Sequence, residues 1–241
     1  AVGDLAAVHQ VNVTSDVNGR ITEILFAAGA SVKAGTPLVQ LFDGPEQGDL
    51  ASFKAQATMA QLSLERAKQL AARQFGPQAT VDQAQSAFDQ AQAGIAKTEA
   101  IISQKLVRAP FDGELGVRRV EVGQYLTAGT QIVSLTDLSM LFLNFTVTEK
   151  DSGALKVGQT VRIKVDAFAD RTFEGKITTI EPQIATDTRN IRVQATLQNP
   201  DRILKPGMFA TTTVVLPDKP PVITVPETAV DYTLYGDSVY L

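Results

Sequence analysis

A motif occurs twice in this chain, 94 residues apart and without a gap. The first copy is Ser15–Asp43, SDVNGRITEILFAAGASVKAGTPLVQLFD, and the second is Ala109–Asp137, APFDGELGVRRVEVGQYLTAGTQIVSLTD. Gly19 falls on Gly113, Gly29 on Gly123, Gly35 on Gly129 and Asp43 on Asp137. Eight of the 29 positions are identical, where average residue usage gives about two. Between the copies lies an Ala- and Gln-rich stretch with helical periodicity. One small β domain is therefore split in half, with a helical hairpin inserted at the split. That arrangement points to a spacer or connector rather than a catalyst.

Each copy reads as short strands separated by glycine turns. Ile21–Phe26 and Pro37–Phe42 are rich in apolar and β-branched residues suited to strands. The recurring glycines, the Ala-Gly-Thr turn and the Val-x-Leu strand resemble half of a lipoyl/biotinyl carrier domain, in which two quasi-symmetric halves pack into one flattened barrel. Such a carrier needs a modifiable lysine at the turn joining its halves. Here the join is the 62 residues from Gly44 to Lys105, and the nearest lysine, Lys54, lies well inside them. The fold resemblance stands, whereas the carrier chemistry has no attachment point.

The insert has a pattern of its own. Leu50, Phe53, Ala57, Ala60, Leu64, Ala67 and Ala71 follow alternating steps of three and four, as do Val81, Ala84, Phe88, Ala91, Ile95, Thr98 and Ile102. This is the seam of an antiparallel coiled coil, with small residues that let two helices approach closely. Asp43, Pro45 and Glu46 suit a helix start, as cap, first-turn proline and acid near the positive end. Gly76-Pro77 suits a break, with Gly as terminator and Pro in the next first turn. A first helix over Glu46–Gln74 is a rod of ~43 Å.

Beyond the second copy the texture is β. Leu141–Thr148, Val161–Val165, Thr172–Ile180, Ile191–Leu197 and Ala210–Leu216 predict a small barrel or sandwich, and Ala1–Val8 supplies another strand. Thr148 and Asp151 form a capping pair for a short helix before Ala154 and Leu155. Pro217–Pro221 reads as a linker, and Val222–Leu241 begins a further β unit.

Together these segments resemble a periplasmic adaptor, or membrane fusion protein (HlyD-like), of a resistance-nodulation-division tripartite efflux pump. Thr188-Arg189-Asn190-Ile191-Arg192-Val193 is similar to the family's T-R-T-x-x-V-R-A stretch, with Asn190 and Gln194 departing from the usual Thr and Arg. Asn199-Pro200-Asp201 with Leu204-Lys205-Pro206-Gly207-Met208 resembles its N-x-x…L-x-P-G-M, and Val225–Val230 its entry to a membrane-proximal domain. The implied organisation is a β-barrel domain of 1–8 and 138–217, a lipoyl-like domain of 9–43 and 106–137, a helical hairpin of 44–105, and the start of a membrane-proximal domain at 218–241.

The resemblance also implies a docking signature at the hairpin tip: Arg, Leu four residues on, then Ser seven further. Arg66 and Leu70 match, and Pro77 stands at the serine position. With Phe75 and Gly76, these residues form a compact contact patch at the end of a polar rod. Arg66 is also compatible with a plain solvated charge, and Leu70, one residue off the Ala67/Ala71 seam, with core filling.

Composition excludes several classes. A net charge of −4 leaves no nucleic-acid footprint. No run approaches the ~18 apolar residues of a membrane span. No secretion signal is readable, so the expectation is a mature chain trimmed at both ends. Zero Cys fits an oxidising compartment but also many cytoplasmic proteins. The single His9 is a surface or packing residue rather than a ligand, and Met59, Met140 and Met208 fall in three separate segments, so no metal site and no cofactor are expected.

The implied function is a periplasmic, non-enzymatic adaptor in multidrug efflux. It would link a proton-driven inner-membrane transporter of the resistance-nodulation-division type to an outer-membrane channel of the TolC type. It would self-associate into a ring of three or six copies and be held at the inner membrane by an N-terminal segment absent from this chain. Bending would occur near Asp43-Gly44, Lys105–Arg108 and Leu138. The alternatives are an adaptor of a metal-ion or ATP-driven exporter and, from another class, a lipoyl/biotinyl carrier domain.

Overall fold

The computed structural model describes residues 1–168, 170–216, 227–233 and 236–239. In chain order the elements are β1 (Val2–Ala7), β2 (Gln10–Thr14), β3 (Gly19–Ile24), β4 (Ser31–Val32), β5 (Pro37–Leu41), α1 (Gly44–Ala72), α2 (Gln78–Gln104), β6 (Leu106–Arg108), β7 (Gly113–Leu115), β8 (Tyr125–Leu126) and β9 (Gln131–Thr136). They continue with β10 (Met140–Thr148), α3 (Glu149–Ser152), β11 (Thr160–Val165), β12 (Thr172–Ile184), β13 (Asn190–Gln198), β14 (Phe209–Val214), β15 (Val230–Thr233) and β16 (Gly236–Val239). The chain divides into two compact units, 4–143 with 196–209, and 1–3 with 144–195 and 210–241.

The repeat becomes two four-stranded sheets, β2-β9-β7-β4 and β6-β5-β3-β8. Shifting β3, β4 and β5 by the repeat spacing lands on β7, β8 and β9. The copies exchange their middle strands: β4 leaves the first copy to pair with β7, and β8 leaves the second to pair with β3. The ties between copies repeat as well. Gly35 N donates to Ala109 O at 2.8 Å, and Gly129 N to Ser15 O at 2.8 Å. Both glycines are left-handed, at φ 80° and 85°, a conformation that disfavours a side chain. Equivalent residues build one core, with Leu38 and Ile132, and Leu41 and Leu135, all fully buried. The first strand runs Gly19–Ile24 rather than Ile21–Phe26, and β5 stops at Leu41, leaving Phe42 half exposed.

The remaining long strands close a barrel in the order β1-β10-β13-β12-β11-β14. Alternation creates its interior: Val161, Ile163 and Val165 on β11, and Ile191, Val193, Ala195 and Leu197 on β13, are buried. Closure removes the free edges that would invite another chain. The segment expected to add a strand, Ala1–Val8, supplies β1. Strand ends differ from expectation. β12 continues four residues past Ile180 as an exposed ladder, closed by Ala185 N on Asn190 O at 3.0 Å, and burial periodicity cannot report an exposed arm. β14 stops at Val214, before the expected Leu216. Thr148 Oγ1 bonds Asp151 Oδ2 at 2.9 Å beside α3, but neither side chain caps the backbone.

Residues Pro217–Pro221, expected to be a linker, lie outside the described residues. Beyond them, β15 and β16 pair antiparallel. Among the described residues no helix is long and apolar enough to cross a membrane.

Candidate functional site

The residues singled out for docking lie where α1 turns into α2. Both helices follow their seams. Ala57, Leu64, Ala67, Ala91 and Thr98 are buried, and the other nine seam positions are half-buried. The helices run antiparallel, since Lys54 Nζ lies 3.5 Å from Glu99 Oε1 and Lys68 Nζ lies 3.5 Å from Gln85 Oε1. A Cβ on Gly94 would stand 2.6 Å from the Phe53 ring, so glycine is what admits that aromatic to the seam.

At the base, α1 begins at Gly44 and ends at Ala72, two residues earlier at each end than expected. Pro45 occupies the first turn, where its missing N–H costs nothing. Asp43 stands at the N-cap but does not cap through its side chain. Its backbone, at φ −123° and ψ 12°, lacks the extended capping geometry, and Oδ2 instead accepts from Gln47 Nε2 at 3.0 Å. Glu46 does more than meet the helix dipole. Its Oε1 pairs with Lys105 Nζ at 2.6 Å, and Lys105 also donates to Phe42 O at 2.8 Å. The Lys105 hydrogen bond holds the Glu46 carboxyl below its usual range against the opposing effect of burial. Sequence reading missed this clamp, because only the pairing of the helices brings two residues 59 apart into contact.

At the tip the chain reverses through Gln74, whose φ is 61°. Gly76 was expected to terminate the helix, but Gln74 takes the left-handed position, and Phe75 N closes onto Leu70 O at 2.9 Å. Pro77 is extended, at φ −72° and ψ 146°, and stands before α2 rather than in its first turn. The loop passes closely over Leu70: a Cβ on Gly76 would lie 3.3 Å from Leu70 Cβ. Leu70 is nevertheless 51% exposed and Phe75 81% exposed, so Leu70 does not fill the seam. Arg66, one turn before Leu70, and Pro77 are exposed. Leu70, Phe75 and Gly76 are thus brought together, with Arg66 and Pro77 flanking them.

Other polar groups serve the fold. His9 Nδ1 lies 3.6 Å from Asp137 Oδ2, and its ring packs 5.6 Å from that of Phe111. Burial raises the Asp137 carboxyl, but bonds from Ser139 and His9 outweigh it, and the net direction is down. Asn199 is buried and spends its amide on Leu138 O and Leu204 O, at 2.8 and 2.9 Å. Among the described residues no group of three or more His, Cys, Asp or Glu side chains could hold a metal ion. A groove beside the base clamp is lined by Asn18, Arg20, Thr22, Phe42, Lys105 and Tyr125.

Two sheets built from swapped half-motifs, an inserted helix pair and a closed six-stranded barrel define a membrane fusion protein fold of mixed α and β structure. Residues 9–138 match the family described as "RND MFP, barrel-sandwich hybrid domain", and residues 141–217 match "CusB-like, beta-barrel domain". The chain belongs to the RND membrane fusion protein family. An uncharacterized protein of Haemophilus influenzae is 34% identical over 224 residues, covering 92% of this chain and 59% of the relative. Multidrug resistance protein MdtA of Yersinia enterocolitica is 30% identical over 266 residues, covering 99% and 60%. The chain thus spans about three fifths of the length of these relatives. A MacA-MexA chimera carrying the Pseudomonas aeruginosa MexA α-hairpin domain superposes with a TM-score of 0.81 at 24% identity, covering 91% of this chain and 81% of the chimera. At that identity the likeness shows the fold alone.

Proposed function

We infer that this chain belongs to a periplasmic adaptor that links a proton-driven inner-membrane transporter of the resistance-nodulation-division type to an outer-membrane channel of the TolC type, in multidrug efflux. The observation that carries the reading is the helix tip: Leu70 and Phe75 are exposed together where α1 turns into α2, beside the charge of Arg66. Exposed apolar anchors flanked by a charge are what a partner contact needs, and nothing in the fold needs them exposed. The name of the Yersinia relative supports multidrug efflux as the process.

On this reading α1 and α2 form a coiled-coil hairpin, and Arg66, Leu70, Phe75, Gly76 and Pro77 dock on the channel. The working division is 1–8 with 138–217, 9–43 with 106–137, 44–105, and 218–241. Copies assemble into a ring of three or six, anchored at the inner membrane by an N-terminal segment. Bending near Asp43-Gly44, Lys105–Arg108 and Leu138 would have to break the Lys105 clamp or the Asn199 bond to Leu138 O. The carrier-domain alternative is disfavoured, since the join between the half-motifs is a helix pair and offers no lysine at a turn.

Deletion of the gene and complementation with the full-length protein tests the process. Drug accumulation should rise on deletion and fall on complementation. Unchanged accumulation of every drug class tried would remove the multidrug reading.

A further inference from the structure

The repeat places one surface feature on the molecule twice, and only one copy is covered. The strand pair of Ser31 with Glu114, on β4 and β7, is equivalent to that of Tyr125 with Arg20, on β8 and β3. A groove runs past each pair. Beside Glu114 its walls include Gly116, Thr136, Lys205 and Pro206, and beside Arg20 they include Thr22, Phe42, Lys105 and Asn18. Gly116 and Thr136 are the repeat equivalents of Thr22 and Phe42.

At the first copy the loop between β13 and β14 supplies the occupant. Lys205 and Pro206 form one wall, and the Arg202 guanidinium lies on the strand pair, 3.2 Å from Ser31 Oγ and 3.6 Å from Glu114 Oε1. An acid on the sheet thus meets a base. At the second copy the charge is reversed: Arg20 stands for Glu114, and Asn18 for Asp112. Arg20 is exposed, and its guanidinium makes no ion pair or hydrogen bond among the described residues. Asn18 spends only its Oδ1, which accepts from Ala128 N at 2.8 Å. Lys105 adds no free charge, because Glu46 neutralises it. The second groove therefore carries one unmatched positive charge.

Its walls also differ in kind. Ser31 and Thr136 give way to Tyr125 and Phe42, whose side chains are 64% and 53% exposed, so neither ring fills the core. Phe42 is held from both sides: its N donates to Arg20 O at 2.8 Å, and its O accepts from Lys105 Nζ at 2.8 Å. Its ring lies so close to the start of α1 that a Cβ on Gly44 would stand 2.8 Å from Phe42 Cζ. Arg20 and Phe42 thus share a fixed backbone frame, which lowers the ordering cost of binding. The groove has a volume of about 490 Å³, within the range of small-molecule sites.

We propose that this groove binds a small aromatic carboxylate, with the carboxylate on Arg20 and the ring against Phe42 and Tyr125. The planar guanidinium matches a carboxylate with two parallel donors, and flat side chains favour a flat apolar body. A cation is repelled by Arg20, and a bare inorganic anion leaves both rings unused. The site is a property of the chain alone and does not depend on the adaptor reading.

The test is calorimetric titration of the purified full-length protein with naphthoate, and with naphthamide and naphthylmethylamine as its neutral and cationic counterparts. The expected result is saturable binding of naphthoate, one molecule per chain, with both counterparts weaker by roughly tenfold or more. Arg20→Gln should weaken naphthoate by roughly tenfold or more and abolish its preference over naphthamide. Phe42→Ala should weaken all three compounds by roughly threefold. Arg162→Gln, which removes an exposed arginine on β11 outside the groove, should change nothing. No saturation below about 1 mM, equal affinity for the three compounds, or binding indifferent to Arg20→Gln would overturn the site. Should Arg20→Gln fail to fold, the three compounds on wild type with Phe42→Ala decide alone. The titration uses neither transporter nor channel, so its failure leaves the adaptor reading in place.

Discussion

Lys105 Nζ lies 2.6 Å from Glu46 Oε1 and ties the end of α2 to the first turn of α1. Both side chains are largely buried, at 12% and 22% exposure. Lys105→Met should destabilise the protein by about 1–3 kcal/mol, because it leaves a largely buried carboxylate without its partner. Urea denaturation of the two proteins checks it, and an unchanged midpoint would show the clamp to be idle.

The same pair sets a pH dependence. The folded-state pKa of Glu46 lies below its ordinary value of 4.5. Its contribution is therefore complete above that value and is lost as pH falls through the lower folded value. Wild type should exceed Glu46→Gln in Tm at pH 7, and the gap should shrink on acidification below about pH 4.5. A gap that stays constant from pH 7 to pH 3 would mean that the lysine bond is not what holds the proton off.

Asn18 and Asp112 are equivalent through the repeat, and each accepts a backbone N–H from the other copy's turn: Ala128 N at 2.8 Å and Ala34 N at 2.7 Å. Replacing either by alanine should cost about 1 kcal/mol, with the two effects similar in size. A loss confined to one site would show that the internal symmetry is geometric but not energetic.

Glycine substitutions should differ in sign. A Cβ on Gly35 or on Gly48 meets nothing within 4 Å, so only backbone conformation separates the two positions. Gly35 is left-handed, and Gly35→Ala should destabilise by about 1 kcal/mol. Gly48 lies within α1, and Gly48→Ala should stabilise by about 0.5–1 kcal/mol. Thermal melts of both variants read the contrast directly.

The sequence made some of this legible and hid the rest for physical reasons. Equal spacing of Gly19, Gly29 and Gly35 with Gly113, Gly123 and Gly129 reports repeated turns, because turns are local. It does not report that β4 pairs with β7 and β8 with β3, since that exchange is decided by packing between distant segments. The helix seams were readable from apolar periodicity alone. Helix ends were not. A glycine at position 76 looks like the terminator, yet Gln74 takes the left-handed turn once Phe75 N bonds Leu70 O. Leu70 lies one residue from the seam position Ala71, and periodicity alone does not decide whether such a flanking side chain covers the seam or, as here, faces solvent.

At the tip, Arg66→Asp and Leu70→Ser should each change stability by less than about 0.5 kcal/mol, since both residues are exposed. Both variants should nevertheless lose drug efflux. Full resistance at normal expression in both would place the docking patch elsewhere, and a melted Leu70→Ser variant would return Leu70 to the seam.

The proposed role is to join an inner-membrane transporter to an outer-membrane channel. The most direct measurement is affinity purification of the tagged full-length protein from cross-linked envelope membranes, with the bound proteins identified by mass spectrometry. Both a resistance-nodulation-division transporter and a TolC-type channel should be recovered in stoichiometric amounts. Recovery of neither, or a lipoyl or biotinyl increment on the intact mass of the protein itself, would contradict it.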